Sequence, residues 1–229
     1  MRRNRPRQFL AALAASFAIS PISFADNAGL AGFEVGQRGS RHAYVGTIIV
    51  PESVSPWRGR LWLDHTRYEY DKAGQDVRAR VTGAEAALGI GGSRDADWWA
   101  VYLGPRWEST RLSPDDRGND NRGSHARAKL LAEAEQGVGN WRAILGASYV
   151  FGADGWWMRG RMLRPQPTGS RFGGELVLHG GPDYRATQLG GLYQIPLGKA
   201  SSALFKGGVR HDRDLGSGGY AGVELYWPY

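Results

Sequence analysis

The stretch His125-Ala126-Arg127-Ala128-Lys129-Leu130-Leu131-Ala132-Glu133-Ala134-Glu135 reads two ways, and the choice between them sets the fold. Alanine, leucine, glutamate and lysine all favour a helix. A helix would scatter His125, Arg127, Lys129, Glu133 and Glu135 around its circumference. A strand gathers them on one face and leaves Ala126, Ala128, Leu130, Ala132 and Ala134 on the other. The period of two predicts a strand.

The same rhythm runs along most of the chain. Trp156, Met158, Gly160 and Met162 alternate with Trp157, Arg159, Arg161 and Leu163. Phe172, Leu176 and Leu178 alternate with Glu175, Val177 and His179, and Phe205 and Val209 with Leu204, Lys206 and Arg210. Each segment has one apolar face and one face carrying charge and glycine. A soluble sandwich buries the apolar face, whereas a membrane barrel turns it to lipid. Segments of about 9–12 residues suit a tilted membrane strand and exceed the usual soluble strand of about 5–6. Trp57, Trp98, Trp99, Trp107, Trp141, Trp156 and Trp227 stand near segment ends, where an interfacial girdle belongs. The expected fold is all-β: an antiparallel up-and-down transmembrane barrel of about twelve strands. Ten is the alternative if the first segment fails, and a soluble exported β-protein is the competing class.

The two ends of the chain agree with export. Residues 1–25 hold four arginines among the first seven, then an apolar stretch from Phe9 to Phe24, then Ser23-Phe24-Ala25. The stretch is shorter than the roughly 20 residues a spanning helix needs and ends in a small-x-small pattern, which reads as a cleavable signal peptide. The domain reading is therefore a signal peptide at 1–25 and an outer-membrane barrel at 26–229. At the other end Ala221, Val223, Leu225, Trp227 and Tyr229 alternate with Gly222 and Glu224. A closing aromatic strand of this kind resembles the signal read by barrel-assembly machinery, despite Pro228, which lacks a ladder donor.

Composition removes other classes. The absence of cysteine among 229 residues excludes a disulfide scaffold and thiolate metal sites. The net charge of +7 falls to +3 without the four leading arginines, so no nucleic-acid partner is expected. Nothing points to a cofactor.

Twelve segments are expected near 30–37, 42–50, 57–70, 77–90, 96–108, 123–136, 140–151, 155–164, 171–179, 185–195, 201–210 and 217–229. With the first strand entering from the periplasm, the fifth and longest connection, Ser109 to Asn121, falls outside. Arg78 and Arg80 share a phase with Ala84, Ala86 and Leu88, which needs either a position at the outer rim beside anionic headgroups or a bulge near Gly83.

That long connection carries a resemblance. Leu112-Ser113-Pro114-Asp115-Asp116, then Arg122-Gly123-Ser124 and the alternating strand beyond, is similar to an element of the cellulose biosynthesis protein BcsS family. The resemblance extends over residues 80–229 and implies an outer-membrane accessory of bacterial cellulose or exopolysaccharide production. Polysaccharide and cellulose synthase components would be its partners, beside outer-membrane lipid and lipopolysaccharide. It supplies no catalytic residues.

Chemistry is sparse. Asp115, Asp116 and Asp120 lack a regular calcium-loop spacing and read as a solvated loop. His211, in Arg210-His211-Asp212-Arg213, is the best catalytic candidate, but its nearest serine, Ser217, lies across a turn. No catalytic residue and no metal site is therefore assigned. His179 and Glu175 share a face and are expected in a lumenal ion-pair network. Its acids are Asp64, Glu85, Glu133, Glu135, Glu175 and Glu224. Arg127, Lys129, Arg142, Arg159, Arg161, Lys206 and Arg210 oppose them, since buried ions need partners. Trp62, Trp157, Tyr220 and Tyr226 join that face. With Arg159, Arg161 and Glu175 they form the candidate sugar-contacting set. The alternatives are a lipid-modifying barrel enzyme similar to lipid A deacylases and a plugged structural or adhesion barrel.

Overall fold

The computed structural model describes residues 27–229 apart from 52–54, 73, 183, 199 and 214–215. The predicted signal peptide lies outside the described residues. Twelve strands form one closed antiparallel barrel: β1 (Ala28–Gly36), β2 (Arg41–Ile49), β3 (Trp57–Lys72), β4 (Gln75–Arg94), β5 (Asp97–Ser113), β6 (Gly123–Val138), β7 (Trp141–Val150), β8 (Gly155–Pro165), β9 (Arg171–Gly180), β10 (Arg185–Leu197), β11 (Ser201–Asp212) and β12 (Gly216–Pro228). Each strand pairs with its sequence neighbour, and β1 closes onto β12 from Ala28↔Pro228 to Gly36↔Tyr220. The first segment is a full member of the wall, so the ten-strand alternative falls.

Alternation does what the sequence required. On β6 the side chains of Lys129, Leu131, Glu133 and Glu135 are buried inward, while Ala126, Ala128, Leu130 and Ala132 are exposed. The exterior carries Leu61, Leu63, Leu88, Leu103, Leu145, Leu189 and Val209, and Leu88 is 71% exposed. A soluble domain hides such residues. Here the wall is inverted, apolar outside and charged inside, as a lipid solvent demands.

Tight turns at one end follow from local chemistry. Asp95 and Gly139 each take a left-handed conformation (φ 57° and 60°) in the two-residue connections β4–β5 and β6–β7. The nine-residue connection Pro114–Arg122 lies at the opposite end and starts five residues later than the sequence placed it, because β5 continues to Ser113.

Two local expectations are corrected or decided. Trp98 is not a girdle residue: it points into the barrel, where its Nε1 donates to Glu135 Oε2 at 3.3 Å. It shares the phase of Ala100 and Tyr102, and phase outranks nearness to a strand end. Trp57, Trp99, Trp107 and Trp227 do face outward. Arg78 and Arg80 lie on the exterior of β4, whose pairing with β3 is unbroken from Trp57↔Ile90 to Lys72↔Gln75, so no bulge intervenes.

Candidate functional site: the barrel lumen and its outer mouth

Inward-facing glycines make room for rings. A Cβ at Gly46 would lie 2.0 Å from the Trp62 ring, one at Gly32 2.3 Å from Tyr44, and one at Gly190 2.2 Å from the Tyr220 hydroxyl. Trp62 and Tyr44 so occupy space over the adjacent strand, and Tyr220 reaches across β11 to β10. Tyr44 and Trp62 then stack at 4.7 Å between centroids, and the Arg60 guanidinium sits 4.2 Å over the Trp62 ring.

Charge is arranged in two groups on opposite walls. On β3–β6, Arg106 clamps Asp64 through two bonds of 2.8 and 3.0 Å and also reaches Glu108. Glu85 beside it accepts from Arg60 at 3.0 Å and Lys129 at 2.7 Å. On the other wall Arg161 forks onto Glu224 (2.8 and 2.9 Å) and donates from Nε to Glu175 at 2.9 Å. Tyr220 donates to the second Glu175 oxygen, and Lys206 joins Glu34 and Glu224 at 2.7 and 3.1 Å. Bidentate, charge-assisted bonds of this kind offset the cost of holding ions away from water.

Of the candidate sugar-contacting residues, Arg161, Glu175 and Tyr220 meet in one hydrogen-bonded group. Trp157 and Arg159 lie beside it on β8, with the Arg159 guanidinium 5.3 Å from the Trp157 ring. Trp62 belongs to the opposite wall. Tyr226 stands apart, six residues below Tyr220, among Ala28, Leu30, Ile48 and Leu204. These apolar side chains, with Ile144, Leu163 and Leu192, fill the end of the lumen that holds the short turns. That filling was not expected from the sequence, and Tyr44, Tyr102, Arg106 and Glu34 are further members of the interior beyond those expected. Their inward phase was readable.

Glu133 and Arg159 do not complete the network. They sit at one level on either side of Gly146, each 3% exposed. Both oxygens of Glu133, Nε and Nη1 of Arg159 and the hydroxyls of Tyr44 and Tyr102 make no hydrogen bond to the described residues.

His179 is also corrected. Its Nδ1 lies 2.9 Å from the Tyr184 hydroxyl, and Glu175 is engaged elsewhere. His211 Nδ1, in contrast, lies 2.9 Å from Ser217 Oγ, because β11 and β12 pair His211 with Ser217 across the hairpin. The serine that the sequence placed out of reach is therefore in contact. No carboxylate among the described residues bonds the imidazole to orient it, as a hydrolytic triad requires.

The long loop is anchored through Asp116, which is buried, while Asp115 and Asp120 are exposed as expected. Asp116 accepts from the Tyr70 hydroxyl at 3.0 Å, from Lys72 and from the Gly118 amide, and Asn119 donates to Tyr70 at 3.2 Å. Asp115 pairs with Arg122 at 2.6 Å. No group of three potential metal ligands occurs among the described residues. Burial pushes the Asp116 carboxyl up, but the bonds from Lys72, Tyr70 and Gly118 outweigh it and hold it below its ordinary value. A depressed carboxylate stabilises the folded loop above the unfolded value of about 3.9 and loses that contribution only as pH falls further. Asp116→Asn is expected to weaken the anchor by about 1–3 kcal/mol, read as faster tryptic cleavage after Arg117. In the parent protein hydrogen exchange of the loop amides should rise only below about pH 4. Unchanged cleavage in the variant would show that the loop is held by other contacts.

Geometry of this kind defines a class: a closed, inverted barrel with a paired-ion interior. The family model for cellulose biosynthesis protein BcsS matches residues 31–228, and the chain belongs to that family. No curated protein sequence matches it. Among solved structures it is similar to a KdgM porin at 10% identity and TM-score 0.48, over 86% of this chain and 97% of that one. It is also similar to the β domain of the Bordetella autotransporter BrkA at 11% identity and TM-score 0.44, over 89% and 98%.

Proposed function

We propose that the protein is a non-enzymatic outer-membrane accessory of bacterial cellulose production that works as a closed barrel. Family membership supports the cellulose role, and the inverted wall supports residence in a bilayer. The observation that carries the closed state is the interior itself. Leu30, Ile48, Ile144, Leu163 and Tyr226 fill one end, and the Arg161–Glu224 clamp spans β8 to β12 above them. A polymer conduit would have to displace both. The protein then acts through its rims and outer surface, beside lipid and the cellulose synthase machinery, after export by the segment ending near Ala25 and insertion by barrel-assembly machinery.

A second reading, glucan contact inside the lumen, is favoured by the unbonded groups of Glu133, Arg159, Tyr44 and Tyr102 beside Trp62 and Trp157. Buried polar groups require partners, and a sugar offers both hydroxyls and an apolar ring face. Trp62, Trp157, Tyr220, Arg159, Arg161 and Glu175 would be its contacts, with Tyr226 nearer the filled end.

Planar-bilayer recording of the refolded mature chain separates the two. Absence of steady conductance, unchanged by cello-oligosaccharide, is the expected result. A steady current blocked by that sugar would overturn the closed reading in favour of a conduit.

A further inference from the structure

Three rows of outward side chains cross strands β2 to β5 in strict register near the mouth that carries the long loop. Val45, Leu63, Ala84 and Trp107 form the last apolar row. Ala43, His65, Thr82 and Ser109 form the next. Arg41, Arg67, Arg80 and Arg111 form the third: Arg41 is paired with Arg67, Arg67 with Arg80, and Arg80 with Arg111. All four arginines are exposed.

Like charges directly opposite one another on a sheet are destabilising. Strands about 4.8 Å apart put the four guanidinium stems within roughly 14 Å. None of the four makes an ion pair among the described residues. Among the described residues, Arg67 Nε donates to the His65 ring at 3.2 Å. Arg78, one step further out on the same face, is neutralised by Glu69 at 2.9 Å, so the row keeps its charge although an acid is close. A row that repels itself and lacks counter-ions among the described residues is matched to an external anion.

Its height identifies the anion. Four residues of a strand tilted by about 40° raise the arginines roughly 10 Å above the last apolar row. That is just past the polar layer of about 5–8 Å flanking a hydrocarbon core. Guanidinium groups turned back toward the bilayer meet phosphate at that depth, with Thr82 and Ser109 hydroxyls beneath them. We infer that Arg41, Arg67, Arg80 and Arg111 form a docking row for the phosphates of the outer-leaflet saccharolipid, the lipid A portion of lipopolysaccharide. The inference rests on the bilayer reading above and is independent of the cellulose role.

The test uses the refolded mature chain in zwitterionic vesicles. The temperature at which it loses its compact, heat-modifiable mobility is measured as bis-phosphorylated lipid A is added. A rise in that temperature with lipid A, absent with dephosphorylated lipid A and with millimolar inorganic phosphate, is expected. The double variant Arg67→Gln/Arg80→Gln should need about tenfold more lipid A for half the effect, the loss of charge-assisted bonds. Without lipid A it should melt no lower than the parent, since a repulsion has been removed, and Arg78→Gln should respond like the parent. An equal rise with dephosphorylated lipid A, or an unchanged requirement in the double variant, would overturn the assignment. So would protection by a soluble polyuronate where lipid A gives none, which would make the row a polysaccharide contact. Failure to enter zwitterionic vesicles at all overturns the bilayer reading and this inference together.

Discussion

Arg161→Ala is expected to cost the barrel about 3–5 kcal/mol, the loss that follows when one partner of a buried ion pair is removed. Arg161 is 1% exposed and serves two carboxylates at once, with three bonds of 2.8–2.9 Å. Its removal leaves Glu175 with Tyr220 and Glu224 with Lys206, so two acids share the compensation that three cations and donors supplied. Equilibrium urea unfolding in vesicles measures the effect. Arg161→Ala/Glu224→Gln should recover part of the loss, because a neutral amide removes the acid that the guanidinium clamped. A single variant within about 0.5 kcal/mol of the parent, the range of ordinary surface changes, would mean that water reaches this level of the lumen and that the barrel is open there.

Leu88→Arg tests the other face. Leu88 pairs with Leu103, and Leu103 with Leu130, midway between the outward rings of Trp99 and Trp107 on β5. At the centre of a bilayer an arginine on the lipid side costs about 2–4 kcal/mol. On a wet surface the same change is nearly neutral, within about 0.5 kcal/mol. The same unfolding measurement, with Leu88→Ala as a control for lost bulk, gives the difference. A neutral Leu88→Arg would remove the bilayer from every reading made above.

Much of this wall was legible because a strand offers only two faces. Once His125–Glu135 is read with period two, its neighbours fall into phase, and all twelve segments can be marked to within a few residues. Inward charge was legible for the same reason. What failed was whatever depends on distance across the barrel. Arg161 and Glu224 are 63 residues apart, and no periodicity links them. His211 and Ser217 look separated by a turn, yet the hairpin register sets them face to face. Asp116 looked solvated because its partners, Tyr70 and Lys72, belong to a hairpin two strands away. Trp98 is a different failure, since its phase was readable and its position near a strand end was allowed to override it.

The seam between β1 and β12 makes the barrel indivisible. Pairing there runs through nine residue pairs, and the Tyr229 amide donates beyond it to the Asn27 carbonyl at 3.0 Å. Every other strand meets a neighbour that is close in sequence. This one joins the two ends of the described chain, and its loop-closure entropy is the greatest in the fold. A chain lacking β12 would therefore lose more than one strand. It would gain two raw margins, along β1 and β11, whose amides and carbonyls have nowhere to turn in hydrocarbon. Assembly must proceed to the final residues before the sheet is safe in lipid at all.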